Sequence, residues 1–79
     1  MNFIYSSSAK KHIKKIPEPV KSNIKNAIEN LPNGDIKKLI GFSNLHRLRV
    51  GNYRVIYSLV DNGYYILDVL PRGSAYKKI

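Results

Sequence analysis

Four arginines, Arg47, Arg49, Arg54 and Arg72, fall in one stretch of a chain whose ten lysines all lie outside residues 39–76. A guanidinium presents a planar fork that grips phosphate through two parallel hydrogen bonds, whereas an ammonium is a mobile point charge. Separating the two cations along the chain points to a division of labour, with the arginines recognising an anion. The flanking residues indicate how they are brought together. Leu45 to Val50 alternates, Gly51-Asn52 is a two-residue turn signal, and Tyr53 to Val60 alternates again. Closing that turn opposes Val50 with Tyr53, Arg49 with Arg54, Leu48 with Val55 and Arg47 with Ile56. Three arginines then share one face of the hairpin. Leu48, Val50, Tyr53, Val55, Tyr57 and Leu59 share the other. Like charges set directly opposite each other destabilise a sheet by about 0.2–1 kcal/mol, a cost that a bound anion relieves. The arginine face is expected to stay open and to bind phosphate.

The elements that must hold this hairpin can be read outward from it. Asp61-Asn62-Gly63 marks a second turn, and Tyr64 to Leu70 is a third strand cut off by Pro71. A three-residue loop with Gly63 left-handed pairs Tyr57 with Leu67 and Val55 with Val69, leaving Asp68, Leu70 and Arg72 on the arginine face. A two-residue Asn62-Gly63 turn would instead bury the Asp68 carboxylate in the core, which is costly without a partner. The first register is therefore expected, with Asp68 in a structural ion pair to a neighbouring arginine. His46 falls on the opposite face beside Tyr57, as a packed or edge histidine.

Upstream, Asn2 to Tyr5 reads as a short strand. Ala9, Ile13 and Ile16 then recur at helical spacing, with N-cap candidates in Ser6-Ser7-Ser8 and a stop at Pro17. A second helix begins at Pro19, carries Val20, Ile24, Ala27, Ile28 and Leu31 as one apolar stripe, and ends at Pro32-Asn33-Gly34. Asp35 to Asn44 reads as a connecting stretch. The expected fold is a two-layer α+β domain over residues 1–79 in the order β-α-α-β-β-β, an antiparallel four-stranded sheet with the helical hairpin on one face.

Composition bounds what this domain can do. At 79 residues and 9.0 kDa, any active site must lie on the scaffold's own surface. No cysteine is present, so disulfides and thiolate metal sites are excluded and a reducing compartment is expected. The two histidines, His12 and His46, are far apart and the five acids are scattered, so no metal-ligand spacing appears. Phe3-Ile4-Tyr5 is too short for an export signal and no apolar run approaches a bilayer span, so a soluble cytoplasmic protein is expected. A net charge of +9 and a pI near 10.0 predict a polyanion or an acidic partner.

The run Leu45-His46-Arg47-Leu48-Arg49-Val50-Gly51-Asn52-Tyr53-Arg54-Val55-Ile56-Tyr57, followed by Val69-Leu70-Pro71-Arg72-Gly73-Ser74-Ala75-Tyr76-Lys77, resembles the RelE/ParE superfamily of bacterial toxin–antitoxin toxins, and its RelE branch most closely. The likeness covers nearly the whole chain. It implies a ribosome-dependent endoribonuclease that cuts mRNA in the decoding site without a metal or other cofactor. It also implies a small acidic antitoxin as cognate partner.

Cleavage by the neighbouring 2′-hydroxyl needs a base, cations for the charge on the pentacoordinate phosphorus, and an acid for the departing 5′ oxygen. By motif position the resemblance assigns Arg54 and Arg72 to the scissile phosphate. Arg47 and Arg49 stand where RelE-type enzymes often place lysines, so here they bind RNA and are poor proton carriers. Tyr76 is the candidate acid, base or stacking group, because guanidinium neighbours can lower a phenol's pKa, and Lys77 adds an RNA contact. The lysines of the first helix, with Lys21 and Lys25, form a solvated face with a secondary role in gripping ribosomal RNA. Two other readings stay open: a ParE-like toxin inhibiting DNA gyrase, and a non-catalytic nucleic-acid-binding module.

Overall fold

The computed structural model describes residues 2–41 and 44–71. In chain order the elements are β1 (Asn2–Tyr5), α1 (Ser7–Lys14), α2 (Val20–Glu29), β2 (Asp35–Lys38), β3 (Leu45–Val50), β4 (Tyr53–Val60) and β5 (Gly63–Pro71). They form an α+β fold in which a five-stranded sheet, ordered β1-β5-β4-β3-β2, carries the two helices. The sheet differs from expectation in two ways. Asp35–Lys38 is an edge strand paired antiparallel with β3 where a connection was expected, and β1 runs parallel to β5, so the sheet is mixed. Both differences concern short outer strands, whose pairing depends on partners remote in sequence.

Each helix is started by a side chain that supplies its missing acceptor. The Ser6 hydroxyl accepts from the Ala9 N–H (3.0 Å) and donates to the Leu67 carbonyl (2.5 Å). The Ser6 N–H also bonds the Ile66 carbonyl, so the cap of α1 is fastened to β5. Glu18 performs the same service for α2, accepting from the Ser22 N–H (3.0 Å) and hydroxyl (2.7 Å). Those two bonds hold the Glu18 carboxyl below its ordinary value.

The helices bury Ala9, Ile13 and Ile16 from the first segment and Ile24, Ile28 and Leu31 from the second against Leu48, Val55, Tyr57, Tyr64, Ile66 and Val69 of the sheet. Each fully buried aliphatic side chain contributes about 1.5–3 kcal/mol, and this layer is the main source of stability. Leu59, expected beneath the helices, is instead 48% exposed. It stands opposite Tyr64 near the β4–β5 turn.

The expected register of β3 on β4 holds at every pair, from Val50 opposite Tyr53 to Arg47 opposite Ile56. Gly51 takes φ +58° in the turn, where a side chain is disfavoured. The β4–β5 register is a correction. Val60 pairs with Gly63, so the turn is shorter than the three-residue loop, and Tyr57 pairs with Ile66 rather than Leu67. A bulge between Ile56 and Tyr57 then restores Val55 opposite Val69. Gly63 is required by proximity: a Cβ there would lie 1.9 Å from the Asn2 carbonyl oxygen of β1.

Asp68 keeps its expected register opposite Ile56 but not its expected partner. Its carboxylate turns to α1, where His12 Nδ1 donates to Oδ1 (2.5 Å) and the Ser8 hydroxyl donates to Oδ2 (3.2 Å), while its own strand's Val69 N–H bonds Oδ1 (2.9 Å). Asp68 therefore docks helix to sheet, and the expected arginine pair is not the one formed. Asp68→Ala should cost about 1–2 kcal/mol through these lost bonds, read as a lower urea midpoint at unchanged slope.

Candidate nucleic-acid interface

The interface begins with the pleat of β3 and β4. Leu48, Val55 and Tyr57 point to the helices, so alternation sends Arg47, Arg49 and Arg54 to the other face. Arg49 is exposed, while Arg47 and Arg54 are half-buried. Arg49 and Arg54 oppose each other directly.

The edge strand adds two charges that sequence reasoning missed. Asp35 pairs with Arg49 and Lys37 with Arg47, so both share the arginine face. The Asp35 carboxylate lies 3.8 Å from the Arg47 guanidinium, whose side chain is only 12% exposed. An exposed carboxylate at that distance contributes roughly 0–1 kcal/mol. The face thus carries Arg47, Arg49, Arg54 and Lys37 against Asp35. The available signal was Ile36 alternating between charged neighbours, set opposite Leu48.

The face is not bare at its centre. Ile56, directly opposite Arg47, is fully buried although it lies outside the helix-side core. Its registered partners are Arg47 on β3 and Asp68 on β5, and Arg54 lies two residues along its own strand. Arginine stems can lie over apolar surface while the charged head reaches outward. The buried Ile56 thus places a desolvated apolar residue among these cations, and charge-assisted bonds are stronger where water is excluded. Arg72, Tyr76 and Lys77, the remaining expected site residues, lie outside the described residues.

His46 is where it was expected, on the helix side opposite Tyr57, and it stacks on that ring (5.3 Å). The row continues through Tyr57 edge-on to Tyr64 (5.7 Å) and Tyr64 stacked on Phe3 (5.6 Å), crossing four strands. Burial beside Tyr64 pushes the Tyr57 phenol above its ordinary 10.0. The folded protein therefore holds this proton more tightly than the unfolded chain. Its contribution is intact below about pH 10 and is lost as pH rises through the folded pKa. Tyr57→Phe should flatten the alkaline fall in stability, measured by urea unfolding from pH 9 upward.

A second cationic region lies on the helix layer. Lys10, Lys14, Lys21 and Lys25 surround a cleft of about 420 Å³ with Tyr5 and Ile13 in its lining. The expected solvated lysine face is thus grooved, and it is a separate region from the arginine sheet. Among the described residues no helix is long and apolar enough to cross a membrane.

Comparison with known proteins places this geometry among relatives. Residues 3–76 match the family described as ParE toxin of type II toxin-antitoxin system, parDE. The chain is 32% identical to Toxin RelE3 of Methanocaldococcus jannaschii over 96% of both proteins. In fold it is similar to a chain of the RelB-RelE antitoxin-toxin complex from Methanococcus jannaschii, with TM-score 0.79 and 31% identity over 96% of this chain and 98% of that one. It is also similar to a chain of the archaeal RelE-RelB complex from Pyrococcus horikoshii OT3, with TM-score 0.73 and 29% identity over 94% and 97%.

Proposed function

Since the chain belongs to the RelE/ParE superfamily, as a RelE-like toxin of a toxin–antitoxin system, we propose that it is a ribosome-dependent endoribonuclease that cuts mRNA in the decoding site. The observation that carries this reading is the convergence of Arg47, Arg49 and Arg54 on one sheet face around a buried Ile56. In the reaction, the 2′-oxygen attacks the adjacent phosphorus as its proton leaves to a base. The P–O5′ bond then breaks, and the departing oxygen takes a proton, giving a 2′,3′-cyclic phosphate and a 5′-hydroxyl. Arg54, with Arg72, holds the phosphate and offsets the charge that grows on its non-bridging oxygens. Arg47 and Arg49 bind the flanking phosphates. Tyr76 moves a proton or stacks on a base, and Lys77 contacts RNA.

One solved relative is a RelB-RelE antitoxin-toxin complex and another a RelE-RelB complex, and a net charge of +9 suits a small acidic antitoxin as this chain's partner. The family match by a ParE description supports one rival, inhibition of DNA gyrase. Programmed ribosomes, with mapping of new messenger 5′ ends, test the proposal beside a gyrase supercoiling assay. New ends in the decoding site with supercoiling intact are expected. Lost supercoiling with an intact message would favour the rival, and neither activity would leave a non-catalytic binding module.

A further inference from the structure

The described tyrosines divide by face. Tyr57 and Tyr64 are buried in the helix-side core, and Tyr5 and Tyr53 pack against it. Tyr65 is the exception. It lies between Tyr64 and Ile66, both buried on the helix side, so alternation turns it to the arginine face, where it is half-buried. Its registered neighbours there are Ser58 on β4 and Ile4 on β1. Ser58 is small, and Ile4 is 51% exposed.

The position bears on substrate. Ser58 stands two residues along β4 from Ile56, which faces Arg47. Two strand spacings across and two residues along put Tyr65 about 12 Å from Arg47, backbone to backbone. That distance reaches a nucleotide flanking a phosphate held by the arginines. An aromatic ring beside a cationic groove is the arrangement that binds single-stranded nucleic acid, because every base offers a face to stack on whatever its sequence.

We propose that Tyr65 is a stacking platform for one base of the message, on the β1 side of the arginines, and so helps capture the message. This rests on the reading of the arginine face as the RNA site and adds a base contact to it. The consequence is a binding role separable from the chemical step: losing the ring weakens capture of the message and leaves the rate at saturation in place.

The test measures the toxin concentration giving half-maximal cleavage on programmed ribosomes, with intact messages and with messages carrying a single abasic nucleotide at successive positions. Tyr65→Ala should raise it about 5- to 140-fold, the range expected for one lost base stack, while Tyr65→Phe stays near wild type. One abasic position should weaken wild type by a similar factor and have no further effect in Tyr65→Ala. An unchanged Tyr65→Ala, or a defect equal at every abasic position, overturns the proposal. Zero-length ultraviolet crosslinking of the wild-type chain to the message decides the matter if Tyr65→Ala does not fold. A crosslink at Tyr65 supports the platform, and crosslinks without Tyr65 refute it. Arg54→Ala run in parallel reports on the underlying reading: full activity in that variant refutes the arginine face as the RNA site, whatever Tyr65 does.

Discussion

Replacing Arg54 by alanine should lower decoding-site cleavage by about 100- to 1,000-fold, the usual cost of removing one preorganised donor from a developing oxyanion. The expectation comes from where the side chain starts. Arg54 leaves β4 two residues before a fully buried Ile56 and directly opposite Arg49. Arg54 is half-buried, so its side chain is restrained in place rather than free in solvent. Arg54→Lys keeps the charge and loses the fork, and should fall between wild type and alanine. Single-turnover cleavage on saturated ribosomes checks both, because the loss is expected in the chemical step. Circular dichroism separates it from unfolding.

The second large effect is on stability. Ile28 is fully buried where α2 meets the sheet, and Ile28→Ala should cost about 2–5 kcal/mol through lost transfer energy and the cavity left behind. A domain of this length has only roughly 4–12 kcal/mol in total, so the melting temperature should fall by at least about 10 °C. Ile40, of the same residue type but 90% exposed, provides the contrast, since Ile40→Ala should change stability by less than about 0.5 kcal/mol. Thermal unfolding of the two variants side by side reads the difference.

These expectations draw unequally on what the sequence made legible. The β3–β4 register was readable residue by residue because a two-residue turn leaves one way to close the hairpin, and the closure sends three arginines to one side. The helices were readable because Ile24, Ile28 and Leu31 repeat at the helical period. Strand β2 was not, because an edge strand is kept safe by charge, and Asp35, Lys37 and Lys38 hide the single apolar Ile36. The β4–β5 register was misjudged as a choice between two whole-strand alignments, whereas a bulge combines a short turn with Val55 opposite Val69. Asp68 stands in its expected register, and what was misjudged is its partner. The premise that a carboxylate avoids the helices is sound only when nothing there can bond it, and Ser8 and His12 do.

RNA is expected to be met by the arginine sheet face and not by the lysine cleft between the helices. The full-length chain, isotopically labelled and titrated with a short oligoribonucleotide at low salt, tests this by nuclear magnetic resonance. Shifts at the side-chain Nε–H groups of Arg47, Arg49 and Arg54 and at amides of β3 and β4 are predicted, weakening together as salt is raised. Shifts confined to α1 and α2 around Lys10, Lys14, Lys21 and Lys25, with the arginine signals unmoved, would contradict it.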